Sequence, residues 1–563
     1  MRFFSRRARL EEIEPDEILI DAANLPAFDT SRLEGRIERP VAPRTFRFFF
    51  VLFCLFTLIA FLQLTNLQIF QYQALSARAE ENRLTHSTVL AERGLLIDRN
   101  NEPLAKNEEG NDGEFSIRSY PLGEAAAQLV GYVSYPRKDE NGYWYQDYID
   151  GVEGAELLFQ DRISGKNGLD IAETNASGST VSGSIVRGAL SGANVALSID
   201  AELQKNLYET IKTRSIESKW SGGAGAIMDI KTGELYALAS YPSFDPSVMS
   251  SGAPKEAVSA VLTDPRAPLL NRVLSGLYTP GSVVKPFVAT IALENHVITP
   301  EKQILSTGSI SVPNPYNPSK PSVFKDWKAH GWVDMRHALA VSSDVYFYEV
   351  GGGFQDQPGL GIAAIERGLR SFGIGELTGI ALPGEVPGTI PNPEWKAENF
   401  DGERWLLGDT YITSIGQYGF QMTLLQLLRG VSSIASGGNL VTPQIEAGKT
   451  GTTKRVPVDD ASLSVVRDGM RLAVTEGTAQ ALSVYGIKVS GKTGTAEIGA
   501  RKEFTNSLVI GFFPSDHPKY AFAVVMERGK AGTLQGAPSV MHSVLEWIVA
   551  YRSVMAKDDQ LPE

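Results

Sequence analysis

Ser282-Val283-Val284-Lys285 sets a hydroxyl and an amine three residues apart in the stretch TPGSVVKPF. A serine hydroxyl is a poor nucleophile until a neighbouring base takes its proton, and a lysine whose charge is disfavoured by burial or nearby cations can be that base. The spacing is useful only on a helix, where residues i and i+3 share a face. Pro280-Gly281 punctuates the chain just before, and the apolar-rich run FVATIALENHV follows. Pro286 tolerates a helix only in its first turn, where the missing N–H has no intrahelical partner. The sequence therefore predicts a helix starting near Ser282, with its positive N-terminal end beside any charge that develops there.

The spacing alone is weak, because S-x-x-K is expected by chance roughly once or twice in a chain this long. A second copy is present, Ser322-Val323-Phe324-Lys325. It follows NPYNPSKP, whose proline density argues against a helix. Without a helix Lys325 is not held over Ser322, so Ser282 is the candidate nucleophile and Lys285 its base.

Lys-Thr-Gly occurs at 231–233, 449–451 and 492–494. The first copy suits a hairpin turn between two β-rich runs, and the second runs into a polar loop. The third, in KVSGKTGTAEIG, follows the helical stretch VVRDGMRLAVTEGTAQAL and precedes two apolar strands. That context predicts an edge strand along a cleft, making Lys492 the candidate. A further signal is Ser342-Ser343-Asp344 in RHALAVSSDVYFYEVG, which by itself reads equally well as a helix N-cap.

These residues need a scaffold. The chain has 563 residues, 43% hydrophobic and 21% charged, enough for three or four domain-sized units. A net charge of −12 makes nucleic acid an improbable partner class. One cysteine, Cys54, leaves no disulfide framework, and the six histidines show no metal-binding spacing. His330 and His337 read as structural or exposed, and neither a metal nor a cofactor is expected.

Residues 48–62 carry no charge and, extended by QLTNLQIF, are long enough to cross a bilayer. Arg32, Arg36, Arg39, Arg44 and Arg47 precede the segment, and the next basic residue is Arg78. That asymmetry predicts a single-pass anchor over 44–68, with the N-terminus cytoplasmic and the rest outside. Residues 1–43 read as a largely disordered tail. Residues 69–85 continue a helical pattern, and ERGLLIDRNNEPLAKN reads as strand, turn at Asn100-Asn101, and strand. The Gly/Ser-rich run 175–193 predicts the end of a first external domain, 69–192. A second, 193–555, reads as α+β with a sheet built from distant segments, and 556–563 as a short tail.

In this order, Ser-x-x-Lys, a Ser-x-Asn-like triad and Lys-Thr-Gly form a motif set known from penicillin-binding proteins and class A β-lactamases. The chain resembles a class B penicillin-binding protein. The resemblance runs from the anchor to the C-terminus, through ERGLLIDRNNEPLA, LSIDAELQ, ALASYPSFDP and IGQYGFQMTLLQLLR. Within that class it is most similar to the penicillin-binding protein 2 branch of cell elongation. That branch has aspartate at the third triad position, here Asp344, where the division branch typically has asparagine. LPGEVPGTIPNPEWK and Asp326-Trp327-Lys328 point the same way.

The resemblance implies a β-rich pedestal at 69–192 and a transpeptidase domain at 193–555. It implies a DD-transpeptidase that cross-links peptidoglycan stem peptides ending in D-Ala-D-Ala and is acylated by β-lactams. Ser282 would attack, Lys285 would take its proton, and Ser342, helped by Lys492, would return a proton to the leaving D-alanine. The Ser282 and Thr495 backbone N–H groups would form the oxyanion hole. Lys492, Thr493, Gly494 and Thr495 would line the terminal carboxylate, and Lys492 would help keep Lys285 neutral. Asp344 would pair with a lysine or hydroxyl of the site. Only about a dozen residues separate Asn107 from Tyr120, so the head subdomain of relatives is reduced here. With no glycosyltransferase domain, the implied partner is a SEDS-type membrane glycosyltransferase. The division branch, a carboxypeptidase or β-lactamase-type hydrolase, and a non-catalytic β-lactam sensor are the competing functions.

Overall fold

In the computed structural model the chain is described over residues 42–552 and Met555, apart from 82–83, 111–114, 141–143, 175–179, 315–316, 318 and 500. The tails expected at 1–43 and 556–563 fall almost wholly outside the described residues. Helix α1, Pro43–Thr65, is followed by a π-helical turn, Asn66–Phe70. At 1.5 Å per residue, 23 residues span roughly 35 Å, enough for a hydrocarbon core of about 30 Å. None of the side chains of α1 is buried in the protein. Among the described residues it belongs to the one helix long and apolar enough to cross a membrane.

Residues 86–172 and 182–563 form one compact unit. Its N-terminal part carries the strand pair read from ERGLLIDRNNEPLA, β1 (Leu96–Ile97) and β2 (Pro103–Glu109). Asn101 turns between them in the left-handed region, and Asp98 Oδ1 accepts the N–H groups of Asn100 and Glu102. β2 pairs antiparallel with β3 (Ser116–Ser119), Glu109 opposite Ser116; most of the stretch between them, where a reduced head is expected, lies outside the described residues. Beneath this sheet the Glu156 carboxylate is shared by Arg93 at 2.6 Å and Arg118 at 2.7 Å, all three side chains buried. β4 (Val195–Ala196) joins parallel to β1, which links this region to the C-terminal part. The Gly/Ser-rich run is less loop-like than expected: a strand, Thr180–Arg187, lies within it.

The C-terminal part is built on a five-stranded antiparallel sheet. Its strands are β5 (Gly222–Asp229), β6 (Leu235–Tyr241), β11 (Ser490–Ile498), β12 (Phe504–Phe513) and β13 (Tyr520–Lys530), in the order β6-β5-β13-β12-β11. β13 is buried on both faces, which is why YAFAVVM reads as an unbroken apolar run. Phe522, Val524 and Met526 pack under helices α2 (Ala201–Ser218) and α9 (Ala537–Tyr551). Ala521, Ala523 and Val525 face the opposite core, with helix α7 (Leu424–Ala435), every residue of which is buried.

Helix α3 (Lys285–Glu294) is buried from Lys285 to Leu293 in that second core. Against it lie α4 (Met335–Val341), α5 (Asp344–Gly352) and α8 (Asp460–Thr475), and α6 (Leu407–Ser414) packs on α5. Two small hairpin-like pairings flank α5: β7 (Ile304–Ser306) with β10 (Gly331–Val333), and β8 (Ser309–Val312) with β9 (Ser322–Lys325).

Candidate active site

Ser282 lies on a 3-10 turn, Gly281–Val284, that runs straight into α3. The expected helix start is present, but its first turn is tighter than α. In a 3-10 turn residues three apart eclipse one another, which puts Lys285 on the face that carries Ser282; the bonds of the Lys285 amine itself go to Ser342 and Asp344. Pro286 occupies the first turn of α3, where no N–H is needed. Gly281 is at φ +56°, and a Cβ there would lie 2.8 Å from Thr495 O. Gly494 is equally constrained: a Cβ would lie 2.8 Å from Pro280 O and 2.9 Å from Val283 Cγ1. The two glycines let the Ser282 turn lie against the backbone of β11. Gly494, placed with the substrate-binding residues from sequence, acts here through that close approach.

The triad occupies the break between α4 and α5. Ser342 ends α4 in the left-handed region, φ +59°, which costs a non-glycine residue on the order of 1 kcal/mol and turns its side chain and carbonyl toward α3. Ser343 is the N-cap of α5, its hydroxyl accepting Tyr346 N–H, so the capping role and the site role fall on neighbouring residues. Asp344 opens α5.

The lysines converge on Ser342. Lys285, fully buried, donates to Ser342 O at 2.9 Å, to Ser342 Oγ at 3.4 Å and to Asp344 Oδ1 at 2.6 Å. Lys492, also fully buried, donates to Ser342 Oγ at 2.8 Å and to Thr493 O at 2.9 Å. Ser342 Oγ is therefore bracketed by two amines. Asp344 pairs with a lysine, as expected, and that lysine is Lys285. Burial, reinforced by the Lys285 charge and opposed by Asp344, pushes Lys492 well below the usual lysine range.

Thr493 and Thr495 sit on the outer strand β11, half-buried and exposed. Thr493 Oγ1 donates to Thr478 Oγ1 at 3.0 Å. The other Lys-Thr-Gly copies are elsewhere. Residues 231–233 form the β5–β6 turn and 449–451 a loop, and they touch each other, Gly451 N donating to Thr232 O at 2.8 Å. Ser322 and Lys325 are the ends of β9, with Lys325 exposed.

Two groups were missed by sequence reasoning. Thr478 ties Thr493 to the end of α4, its N–H donating to Ala340 O at 3.0 Å. Asp326 Oδ2 accepts Ser343 Oγ at 2.9 Å and Val345 N at 3.0 Å, fixing the start of α5 from below. Asp326-Trp327-Lys328 had been noticed only as a point of resemblance. His330 is buried against Asp326, 3.4 Å away, and stacks edge-on with Trp327; His337 is exposed. Among the described residues no group of three or more His, Cys, Asp or Glu side chains is placed to hold a metal ion.

A hydroxyl on a helix start, two buried amines and an open strand edge can carry out acyl transfer through a serine ester. Comparison with known proteins agrees. The family described as Penicillin binding protein transpeptidase domain matches residues 223–546, and the Penicillin-binding Protein dimerisation domain matches 113–197. The chain is 30% identical over 446 residues to the Peptidoglycan D,D-transpeptidase MrdA of Acinetobacter baumannii, covering 74% of this chain and 64% of that protein. With the Escherichia coli protein of the same name it shares 28% over 479 residues, 77% of this chain and 71% of the relative. Against the Escherichia coli Peptidoglycan D,D-transpeptidase FtsI the figure is 27% over 430 residues, covering 75% and 65%. The chain thus spans about two thirds of the length of these relatives.

Among solved structures, Helicobacter pylori PBP2 in complex with MreC matches with a TM-score of 0.70 at 26% identity, over 83% of this chain and 99% of that one. Pseudomonas aeruginosa PBP2 in complex with WCK 5153 matches with a TM-score of 0.69 at 27% identity, over 85% and 100%. The chain belongs to the penicillin-binding protein transpeptidase family, with its similarity to the penicillin-binding protein 2 branch.

Proposed function

We propose that the protein is a membrane-anchored serine DD-transpeptidase that cross-links peptidoglycan stem peptides during cell elongation and is acylated by β-lactams. The observation that carries this reading is the convergence of Lys285, Ser342, Asp344 and Lys492, from three distant chain segments, beside the turn that bears Ser282.

Lys285 donates to Asp344 and to Ser342, and burial pushes Lys492 well below the usual lysine range. Lys492 faces the terminal carboxylate of the D-Ala-D-Ala stem with Thr493 and Thr495, and Lys285 acts as base. Ser282 Oγ bonds to the penultimate D-alanine carbonyl carbon as its proton moves to Lys285. The backbone N–H groups of Ser282 and Thr495 receive the developing oxyanion. As the C–N bond breaks, Ser342 delivers its proton to the departing D-alanine nitrogen and takes a replacement from Lys285, which gives up the proton it received from Ser282. An amine of a second stem then attacks the ester, its proton returns to Ser282, and an amide cross-link replaces the ester.

The arginine-rich sequence before α1 supports an N-terminus in the cytoplasm and a catalytic unit outside it. Asp344, together with the MrdA and PBP2 similarities, supports the elongation branch. Cross-linking acts on a glycan that a polymerase must supply, and a SEDS-type membrane glycosyltransferase is the partner we assign.

The test is reconstitution with a glycan polymer bearing pentapeptide stems, read by mass spectrometry of the muropeptides. Cross-linked dimers that disappear with Ser282→Ala are expected. Conversion to uncross-linked tetrapeptides alone would identify a carboxypeptidase and overturn the transpeptidase reading.

A further inference from the structure

The nucleophile turn is held from two sides, and the two sides differ in kind. On one side is β11, hydrogen-bonded along its length to β12 in the central sheet. On the other is the segment 415–422, which has no regular structure of its own. Gly281 N donates to Gly416 O at 2.9 Å, and Tyr278 and Met422 exchange both backbone bonds at 3.0 Å. The approach is close enough that a Cβ on Gly416 would lie 2.3 Å from Gly281 O. Any shift of Gly416 is therefore passed to the residue next to Ser282.

Gly416 N donates to Thr413 O at 2.9 Å and Gln417 N to Ile412 O at 3.1 Å, which ties the start of the loop to the end of α6, and its far side is caged two residues further on. Tyr418 sits in the left-handed region at φ +64°, uncommon for a bulky residue. Its ring stacks on Phe400, centroids 6.0 Å apart and planes within 8°. The edges of Trp395 and Trp405 close around it at 5.7 and 6.0 Å. Lys396 Nζ lies 5.9 Å from the ring centre and is bound at 2.7 Å to Asp409, which also accepts Leu406 N–H at 2.7 Å. Gly419 seats the loop on Trp395: a Cβ there would lie 2.3 Å from Trp395 Cη2.

We infer that Tyr418 is a positioning residue for the acyl-transfer step: held in this aromatic cage, it sets, through the Gly416 carbonyl, where the Ser282 turn lies against the Thr495 backbone. The inference rests on Ser282 being the nucleophile. A displacement of about 1 Å in such a turn is enough to cost on the order of 10²-fold in rate without changing what binds.

The test uses the full chain in detergent and fluorescent penicillin, with acylation resolved into a binding constant and a first-order acylation rate. Tyr418→Ala is expected to lower the acylation rate by about 30-fold or more, with the binding constant held within about threefold. Tyr418→Phe, which keeps the stacked ring, is expected to stay within about threefold of wild type. Should Tyr418→Ala fold poorly, Phe400→Leu removes the stacking partner instead and is expected to lower the acylation rate by about fivefold. A weakened binding constant at an unchanged rate would make Tyr418 a substrate contact and overturn the inference. So would a loss explained wholly by a smaller fraction of titratable sites, or an unchanged rate in both Tyr418→Ala and Phe400→Leu. Ser282→Ala, run in parallel, separates the two readings: labelling that survives there refutes the nucleophile, independently of Tyr418.

Discussion

Ser282-Val283-Val284-Lys285 and Ser322-Val323-Phe324-Lys325 space a hydroxyl and an amine identically. In the first, a 3-10 turn entering a buried helix stacks the two residues, and Lys285 is sealed from solvent beside Ser342 and Asp344. In the second, the tetrad is a strand, whose period of two puts Ser322 and Lys325 on opposite faces, with Lys325 in water. The same contrast recurs among the Lys-Thr-Gly copies. Lys492 is buried against Ser342, whereas the copies at 231 and 449 form two turns that pack on each other. Spacing names candidates; burial and convergence select among them.

The largest separation is expected between the two lysines of the tetrads. Lys285→Ala is expected to slow acylation by fluorescent penicillin by about 10³-fold or more, the scale of losing a general base. Lys325→Ala is expected to leave the rate within about twofold. A comparable loss in both would break the comparison.

Next come the lysines of the Lys-Thr-Gly copies. Lys492→Ala is expected to cost about 10²-fold in acylation, and Lys449→Ala and Lys231→Ala about twofold at most. The opposite ranking in stopped-flow labelling would move the site to another copy.

The glycines sharpen the same point. Gly494→Ala would drive a methyl into Pro280 O and Val283, and about a tenfold or greater loss of acylation rate is expected. Gly451→Ala meets Thr442 O at 1.9 Å, so a lowered melting temperature is expected, with an unchanged acylation rate per titratable site. Equal effects of the two changes on acylation rate would remove the distinction.

The smallest expected effect is on stability against pH. Burial lowers the Lys492 pKa in the folded chain well below its unfolded value. Between those two values the unfolded state binds the extra proton, so this group's contribution to stability rises with pH and levels off above about 10.5. Lys492→Met is therefore expected to raise the melting temperature most near neutral pH, with the advantage shrinking toward pH 10.5. An advantage that grows with pH would mean that Lys492 is charged in the folded protein.

Much of the frame was legible because it is local. The β5–β6 hairpin, the strand-turn-strand at Asn101, the anchor and the edge-strand copy of Lys-Thr-Gly follow from turn residues and periodicity over a few positions. The parts that were not legible are made by long-range contact. Asp326 and Thr478 carry no local pattern, and their roles appear only when β9, α4 and β11 meet around α5 and Thr493. The left-handed Ser342 gives no signal in a serine-rich cap. The pairing of Lys285 with Asp344 depends on which buried amine lies nearer the carboxylate. The approach of Gly416 to Gly281 joins segments more than a hundred residues apart.

The most direct test of the central claim is to label the full chain with fluorescent penicillin and locate the adduct by peptide mass spectrometry, alongside Ser282→Ala and Ser322→Ala. The expected result is a single adduct on Ser282, lost in Ser282→Ala and unchanged in Ser322→Ala. An adduct on Ser322, or labelling that persists in folded Ser282→Ala, would contradict the assignment.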